Sequence, residues 1–407
     1  MVAVNWEIEQ LLRSAEMDLL LQRAVRTSGL ELESWELKRV YSRPHGETSA
    51  RFHAQVSGRP ITLVASTRKL GDSDRARIGA VRCESAVGIL HIWAHPSDPE
   101  LPGLHIVEEE NRLRQRLSPL LGAELQIEQS QMLVLRPLRR AVYRVVVSSE
   151  MGFRTVFLKV VRPRRIAELV ARHRACTLAP PAADLGDGIL AVDQAPGVSM
   201  TDLLYLPNSP NPGVRISPET VLSGLESITE SALQLPPKTP AARRFESFID
   251  TVVAGGADPE RLRTLSRLIR HQLSTSPGAA EPSHGDFHPA NVFLTEDGRR
   301  VTALIDADTV GPGHRRDDLA MMLAHLVVLP SFDAMGYRTA PGLAQALWHA
   351  YAHSGRHDLA ARTAASLLCL APGARSPDQL RYFIAAAEST VRSGHISVIE
   401  HTHDSQL

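Results

Sequence analysis

The stretch from Ser283 to Ala320 constrains the fold more tightly than any other part of this 407-residue chain. It reads SHGDFHPANVFLTEDGRRVTALIDADTVGPGHRRDDLA. A polar loop, His284-Gly285-Asp286-Phe287-His288-Pro289-Ala290-Asn291, leads into a short apolar run, Val292-Phe293-Leu294. The turn Glu296-Asp297-Gly298 separates it from a second apolar run, Val301 to Ile305, which ends in Asp306-Ala307-Asp308. Apolar runs punctuated by turn residues predict loop, strand, hairpin turn and strand. Such a hairpin carries Asp286, Asn291 and Asp306 towards one end of the strand pair.

That set suits phosphoryl transfer. The reaction needs a carboxylate to receive or orient the acceptor's hydroxyl proton, and Mg²⁺ takes oxygen ligands from carboxylates, amides and phosphates. Asp286 is the candidate base. Asn291 and Asp306 are candidate metal ligands, with Asp308 either assisting or only shaping the loop. The spacing from Asp286 to Asn291 matches the kinase catalytic loop, with Gly285 where protein kinases carry arginine. The full pattern is His-Gly-Asp-x-His-x-x-Asn, then Ile-Asp-x-Asp, then Asp-Leu-Ala. It resembles the aminoglycoside phosphotransferase/choline kinase-like family. The resemblance implies an α+β, two-lobed protein-kinase-like fold, ATP and Mg²⁺ as cofactors, and a small-molecule hydroxyl acceptor such as a sugar, aminosugar or similar metabolite. His284 and His288 flank Asp286 and are read as orienting groups. They are four apart, but Gly285 and Pro289 break the helix that a zinc pair at that spacing would need.

Composition sets limits on the other function classes. Formal net charge is zero, which gives no bulk attraction to nucleic acid or to a membrane surface. The three cysteines, Cys83, Cys176 and Cys369, are scattered without metal-ligand spacing and are expected as reduced thiols. The start of the chain is too charged for a signal peptide, and no apolar run approaches the length of a membrane span. A cytoplasmic protein is expected, with no nucleic-acid or membrane partner.

Residues 1–122 are expected to form an N-terminal cap domain. Val4 to Thr27 reads as one or two helices stopped near Gly29. Trp35 to Tyr41, Phe52 to Val56, Ile61 to Ala65 and Gly88 to Trp93 read as strands, and Val107 to Leu121 as a solvated, charged helix. The segments from Val40-Tyr41-Ser42-Arg43-Pro44 to Val64 and from Val134-Leu135-Arg136-Pro137 to Lys159 share a pattern of strand, Arg-Pro turn, strand, turn and strand. This is either an internal repeat or the common look of any three-stranded meander. If it is a repeat, only the second copy keeps a lysine in its third strand.

Residues 123–197 are expected to be a nucleotide-binding small lobe. Lys159 lies in the apolar run Val156-Phe157-Leu158-Lys159-Val160-Val161, where an ammonium is costly without a partner. The resemblance makes that partner the nucleotide phosphates together with Glu168, the one acid in the helix that follows. The turn Arg136-Pro137-Leu138-Arg139-Arg140 has no glycine. Arg136 and Arg140 are candidates to hold phosphate in place of a glycine loop, as an acceptor-phosphate site or a solvated turn are alternatives. Similar glycine-free loops mark maltokinase-like members of the family. The resemblance implies that the strand Ile189 to Gln194 ends in the inter-lobe hinge, with Gln194 and Ala195 as candidates to meet adenine; an ordinary strand-to-turn exit is the alternative.

Residues 198–407 are expected to be a mainly helical catalytic large lobe. Thr201 is read as a helix cap, Pro218 to Leu235 as one helix, and Asp318 as a structural acceptor opening the next helix. Acids in residues 325–407 are isolated rather than clustered. That argues against a polycationic acceptor and towards a neutral or anionic one. A second reading, a nucleotide-binding regulatory pseudokinase with little turnover, draws on the glycine-free turn and is opposed by the complete Asp286/Asn291/Asp306 set.

Overall fold

A computed structural model describes residues 2–42, 46–122, 124–150, 152–273, 279–351 and 356–396. The expected turn at Arg43-Pro44 lies outside the described residues. The chain divides into two compact units: Met1–Ala167 with Ala182–Gln194, and Glu168–Pro181 with Ala195–Leu407.

The first unit opens with helices α1 (Val2–Leu11) and α2 (Glu16–Arg26). Met17, Leu20, Leu21, Ala24 and Val25 fall on one face of α2 and are buried. They share a core with Phe52, Ala54, Leu63 and Ile92 from the first sheet. That sheet comprises β1 (Leu32–Tyr41), β2 (Ser49–Val56), β3 (Arg59–Ser66), β4 (Val81–Ser85) and β5 (Gly88–Ala94), in the order β1-β2-β3-β5-β4. Between β3 and β4 runs α3 (Asp72–Ile78). The sequence reading missed both α3 and β4, because each is short and mostly polar. The expected helix Val107 to Leu121 is two, α4 (Leu104–Val107) and α5 (Glu110–Leu121), separated by the extended residue Glu109.

The second sheet comprises β6 (Gln126–Arg136), β7 (Arg140–Ser149), β8 (Gly152–Val161), then, past helix α6 (Ile166–Arg174), β9 (Ala182–Asp184) and β10 (Ile189–Asp193). Its order is β6-β7-β8-β10-β9. The two sheets therefore share both strand order and the place of the helical connection, which favours the repeat over a chance meander. Registers align as well. Lys159 in β8 sits opposite Val142 in β7 and Leu190 in β10. Counted from the β2–β3 hairpin, the matching residue is Ser66, opposite Ser49 and His91. Ser66 and Ser49 are buried and bonded to each other, Oγ to Oγ, at 2.8 Å. The first sheet thus has a closed hydroxyl pair where the second has a lysine.

The arginine turn between β6 and β7 is not a solvated loop. Leu138 is fully buried against Val64 and Trp93 of the first sheet and Ile78 of α3, with a left-handed backbone (φ 64°). Its N–H donates to the buried Asp98 carboxylate at 2.9 Å, and its carbonyl accepts from Arg162 Nε and Nη2 at 3.0 and 2.8 Å. Burial pushes the Asp98 carboxyl up to about 6, against the pull of the amides that donate to it.

In the second unit, β11 (Val198–Ser199) precedes α7 (Met200–Leu204). The cap of α7 is Ser199, whose hydroxyl accepts from the Asp202 amide, and not Thr201. The expected helix Pro218 to Leu235 is broken into α8 (Pro218–Ser223) and two 3₁₀ turns, Gly224–Ser227 and Glu230–Gln234, with extended residues between them. The chain then forms α9 (Ala241–Arg244), α10 (Ile249–Ala254), α11 (Pro259–Leu273), β12 (Glu281–Ser283), β13 (Val292–Leu294), β14 (Val301–Leu304), β15 (Gly311–Gly313), α12 (Arg315–Val328), α13 (Ala340–Tyr351), α14 (Arg356–Leu370) and α15 (Pro377–Ser393). The elements are those the kinase-like expectation requires: an antiparallel sheet carrying the lysine strand, then a mainly helical unit carrying the catalytic hairpin. No described helix is long and apolar enough to cross a membrane.

The buried turn residue gives a direct test. Leu138→Ala should lower unfolding free energy by about 2–5 kcal/mol. The exposed neighbour Leu133→Ala should cost under about 0.5 kcal/mol. Urea titrations of the two variants measure both.

Candidate active site

The hairpin forms as its sequence predicts. β13 and β14 pair antiparallel with Val292 opposite Leu304, and the Ile305 amide donates to the Asn291 carbonyl at 3.0 Å. Asn291 and Asp306 therefore leave the strand pair at the same end. Phe287, fully buried beside Val292 and Leu304, anchors the loop between them. The Asn291 Nδ2 group donates to the Asp286 carbonyl at 2.9 Å, which ties candidate base and candidate ligand together.

One carboxylate fixes the loop from below. Asp318 is almost fully buried. Its Oδ2 accepts from Ser283 Oγ at 2.9 Å and from the His284 amide at 2.8 Å, and its Oδ1 accepts from the Gly285 amide at 2.7 Å. Asp318 lies in the first turn of α12, three residues inside the helix rather than at its start. Burial raises its pKa to about 7, and the three donors oppose that rise. Gly285 has φ 77°, and a Cβ there would lie 3.1 Å from the Thr309 side chain. Glycine at this position is thus required by backbone and space together. Thr309 Oγ1 donates to the His284 carbonyl at 2.8 Å, closing the loop from the other side.

Asp286 is half-buried with its carboxylate open to an incoming group. Burial holds its pKa above the usual carboxylate range; nearby His288 pulls it back and Asp306 pushes it further up. His288 Nε2 lies 3.8 Å from Asp286 Oδ2 and stacks on His325 with ring centroids 4.3 Å apart. Burial drives His325 down to about 3 and His284 to about 4, so both rings are neutral near pH 7. Asp306 adopts the left-handed conformation, φ 56° and ψ 44°, uncommon for a residue other than glycine. Asp308 lies 3.5 Å from His173 Nε2, which gives it a loop-shaping contact.

Glu168 has partners the sequence did not reveal. Its Oε1 accepts from Arg172 Nε at 2.8 Å and Lys238 Nζ at 2.6 Å. Burial raises the Glu168 pKa, but Lys238 and Arg172 outweigh it and hold the carboxyl below its ordinary value. Arg172, fully buried, also donates to the carbonyls of Val310 and Pro236. It thereby braces the segment after Asp306. The i,i+4 spacing of Glu168 and Arg172 was a legible signal; Lys238 left none. Lys159 is half-buried in β8 between its cross-strand neighbours. The Gln194 amide donates to the Thr155 carbonyl at 3.2 Å, so that donor is already engaged. The boundary between the two units falls between Gln194 and Ala195.

Residues 222–362 match the model of a phosphotransferase enzyme family. The matched segment contains the whole catalytic hairpin, so the resemblance to the aminoglycoside phosphotransferase/choline kinase-like family holds where the motif lies. Among solved structures, a choline/ethanolamine kinase family protein from Mesorhizobium loti aligns at 14% identity over 70% of this chain and 94% of its own, with a TM-score of 0.44. A thermostable mutant of aminoglycoside phosphotransferase APH(4)-Ia aligns at 16% identity over 69% of this chain and 99% of its own, TM-score 0.46. For a Plasmodium vivax ethanolamine kinase the figures are 10%, 70%, 90% and 0.45. No curated protein matches the chain significantly.

The left-handed backbone at Asp306 sets which replacements the fold accepts. Asn tolerates that conformation and a β-branched residue does not. Asp306→Asn should leave unfolding free energy within about 0.5 kcal/mol of the parent. Asp306→Val should lower it by about 1–3 kcal/mol. Denaturant unfolding of both variants decides the point.

Proposed function

We propose that the protein is an ATP- and Mg²⁺-dependent phosphotransferase acting on a hydroxyl of a small molecule. The observation that carries this reading is the convergence of Asp286, Asn291 and Asp306 on one hairpin end, inside the segment that matches the phosphotransferase model. Asp286 is the base. Its half-open carboxylate, with the pKa raised by burial, is suited to take a hydroxyl proton. His288 flanks it, with Nε2 3.8 Å from Asp286 Oδ2.

Asn291 and Asp306 would hold Mg²⁺. The Asn291 NH₂ group is committed to the Asp286 carbonyl, so its amide oxygen is the atom left for a cation. Two protein oxygens suit Mg²⁺, which completes its shell with water and substrate phosphates. In keeping with such a sparse set, no group of three or more His, Cys, Asp or Glu among the described residues is arranged to hold a metal. When bound, the ion would neutralise charge on the transferring phosphoryl group. Asp308 shapes the loop through His173 and supports the ion at most indirectly.

Lys159, Arg136 and Arg140 would meet the nucleotide phosphates. The Arg140 Nε is buried without a hydrogen-bond partner, a donor that a phosphate oxygen would satisfy. Glu168 is read as orienting the cationic side of the site, sharing its carboxylate with Arg172 and Lys238. Gln194 and Ala195 remain the hinge candidates, with the Gln194 carbonyl rather than its engaged amide facing adenine.

The reading is tested on Asp286. With a metabolite panel and Mg-ATP, the parent should form a phosphorylated product by mass spectrometry. Asp286→Asn should lower turnover by about 10²–10⁴-fold, with Mg-ATP affinity by calorimetry little changed. Because the base must be ionised, parent kcat should rise with pH through an apparent pKa above the ordinary carboxylate range, and the variant should lack that limb. Equal product from parent and variant would remove Asp286 from this role. Mg-ATP binding without product from the parent would favour the regulatory pseudokinase.

A further inference from the structure

Beside the catalytic loop the second unit encloses a cavity of about 270 Å³. Lys238, Arg244, Gly285, Thr309, Gly311 and His314 are among its lining residues. Gly285 and Thr309 belong to the catalytic loop and its brace, so the cavity abuts the backbone that presents Asp286.

The charges around this cavity are unevenly committed. Its two lining carboxylates, Asp317 and Asp318, both have partners, although Asp317 Oδ2 has none. Asp318 is spent on three loop donors. Asp317 is bound to Arg362 Nη1 at 2.6 Å, and Arg362 also holds Asp358 at 2.9 Å. Lys238 is bound to Glu168, but that single carboxylate faces two cations, Lys238 and the buried Arg172. Arg244 differs from all of these. It is exposed, and among the described residues its guanidinium has no hydrogen bond and no ion pair. A planar fork without a hydrogen bond at the end of α9, over a cavity where Asp318 is fully committed and Asp317 is paired with Arg362, suits an oxyanion.

We propose that this cavity is the acceptor subsite for an anionic group, with Arg244 pairing to a carboxylate or phosphate carried by the hydroxyl compound. The proposal rests on the phosphotransferase reading and names the class of its acceptor: a hydroxyl metabolite bearing one oxyanion, placed so that its hydroxyl meets Asp286. Arg244 fixes the distal charge, Asp286 takes the hydroxyl proton, and the new bond joins that oxygen to the phosphorus transferred from ATP, with ADP leaving. The excess positive charge of Lys238 and Arg172 over Glu168 adds a diffuse attraction without a direct contact.

Matched compounds separate charge from shape. One set is glucose, glucosamine, glucuronate and glucose phosphate; the other is glycerol, aminopropanediol, glycerate and glycerol phosphate. Binding to the protein loaded with Mg-ADP is measured by calorimetry, and turnover with Mg-ATP by mass spectrometry. At least one scaffold should show binding of its anionic members in preference to the neutral and aminated ones, and the carboxylate and phosphate arms show which oxyanion fits. Arg244→Glu should weaken anion binding, and raise KM where there is turnover, by about 10–100-fold, the size of one charge-assisted hydrogen bond. Arg244→Lys should recover part of it, since charge remains and the fork is lost. The ratio of anionic to neutral affinity should collapse in Arg244→Glu. Preference for the aminated members, failure of all anionic members to bind, or an unchanged ratio in Arg244→Glu each overturns the subsite. Arg244-dependent anion binding with no product from any member overturns the phosphotransferase reading and leaves the subsite standing.

Discussion

The geometry of the site depends on one buried carboxylate. Asp318 gathers the Ser283 hydroxyl and the His284 and Gly285 amides onto two oxygens, all within 2.7–2.9 Å. These are the donors at the entrance to the catalytic loop, and a buried amide left without a partner costs about 1–3 kcal/mol. Burial alone would favour a protonated Asp318, as its raised pKa indicates. Each donor pulls the other way, and a proton on either oxygen would cost the loop an acceptor. The loop and α12 are thus made interdependent: without the loop's donors the carboxylate is a buried liability, and without the carboxylate the loop has three unmet donors. Gly285 follows from the same constraint, because its left-handed backbone and the nearby Thr309 leave no room for a side chain.

A second brace acts on the segment after the hairpin. Arg172 reaches from α6 to the Val310 and Pro236 carbonyls while Glu168 and Lys238 complete its surroundings. With Asp318 under the loop entrance and Arg172 under the stretch that follows Asp306, the two backbones that carry the candidate base and metal ligand are each held by a buried charge. Leaving Asp306 in the left-handed region costs energy, which the paired strands β13 and β14 and this brace together sustain.

Much of this was legible in sequence, for a physical reason. The catalytic hairpin is local: its strands are four or fewer residues long, its turn is marked by Asp297-Gly298, and its functional residues lie within it. Two short apolar runs and a turn signal suffice to place Asp286, Asn291 and Asp306 together. Asp318 was legible as an acceptor because it stands where the next helix begins, although its place inside α12 was not. What sequence could not supply was long-range. The link from Glu168 to Lys238 spans 70 residues. Leu138 is docked on Val64 and Trp93, residues of a sheet far earlier in the chain, so the sequence left a solvated turn among the alternatives when the turn is anchored. The helix expected from Pro218 to Leu235 failed because apolar spacing persists through 3₁₀ turns, where hydrogen bonding changes and the side-chain pattern does not. The repeat of the two sheets was visible in three strands and gained support from the strand order, which includes β4 and β9, two short strands the sequence reading missed.

Amide hydrogen exchange at His284 and Gly285, in the parent and in Asp318→Asn, addresses the central claim that Asp318 holds the catalytic loop. The account predicts strong protection of both amides in the parent. In the variant, where an NH₂ group replaces one accepting oxygen, protection at these two positions should fall by at least about tenfold, one lost hydrogen bond, while β13 and β14 stay protected. Fast exchange of both amides in the parent, or equal protection in the variant, would contradict it.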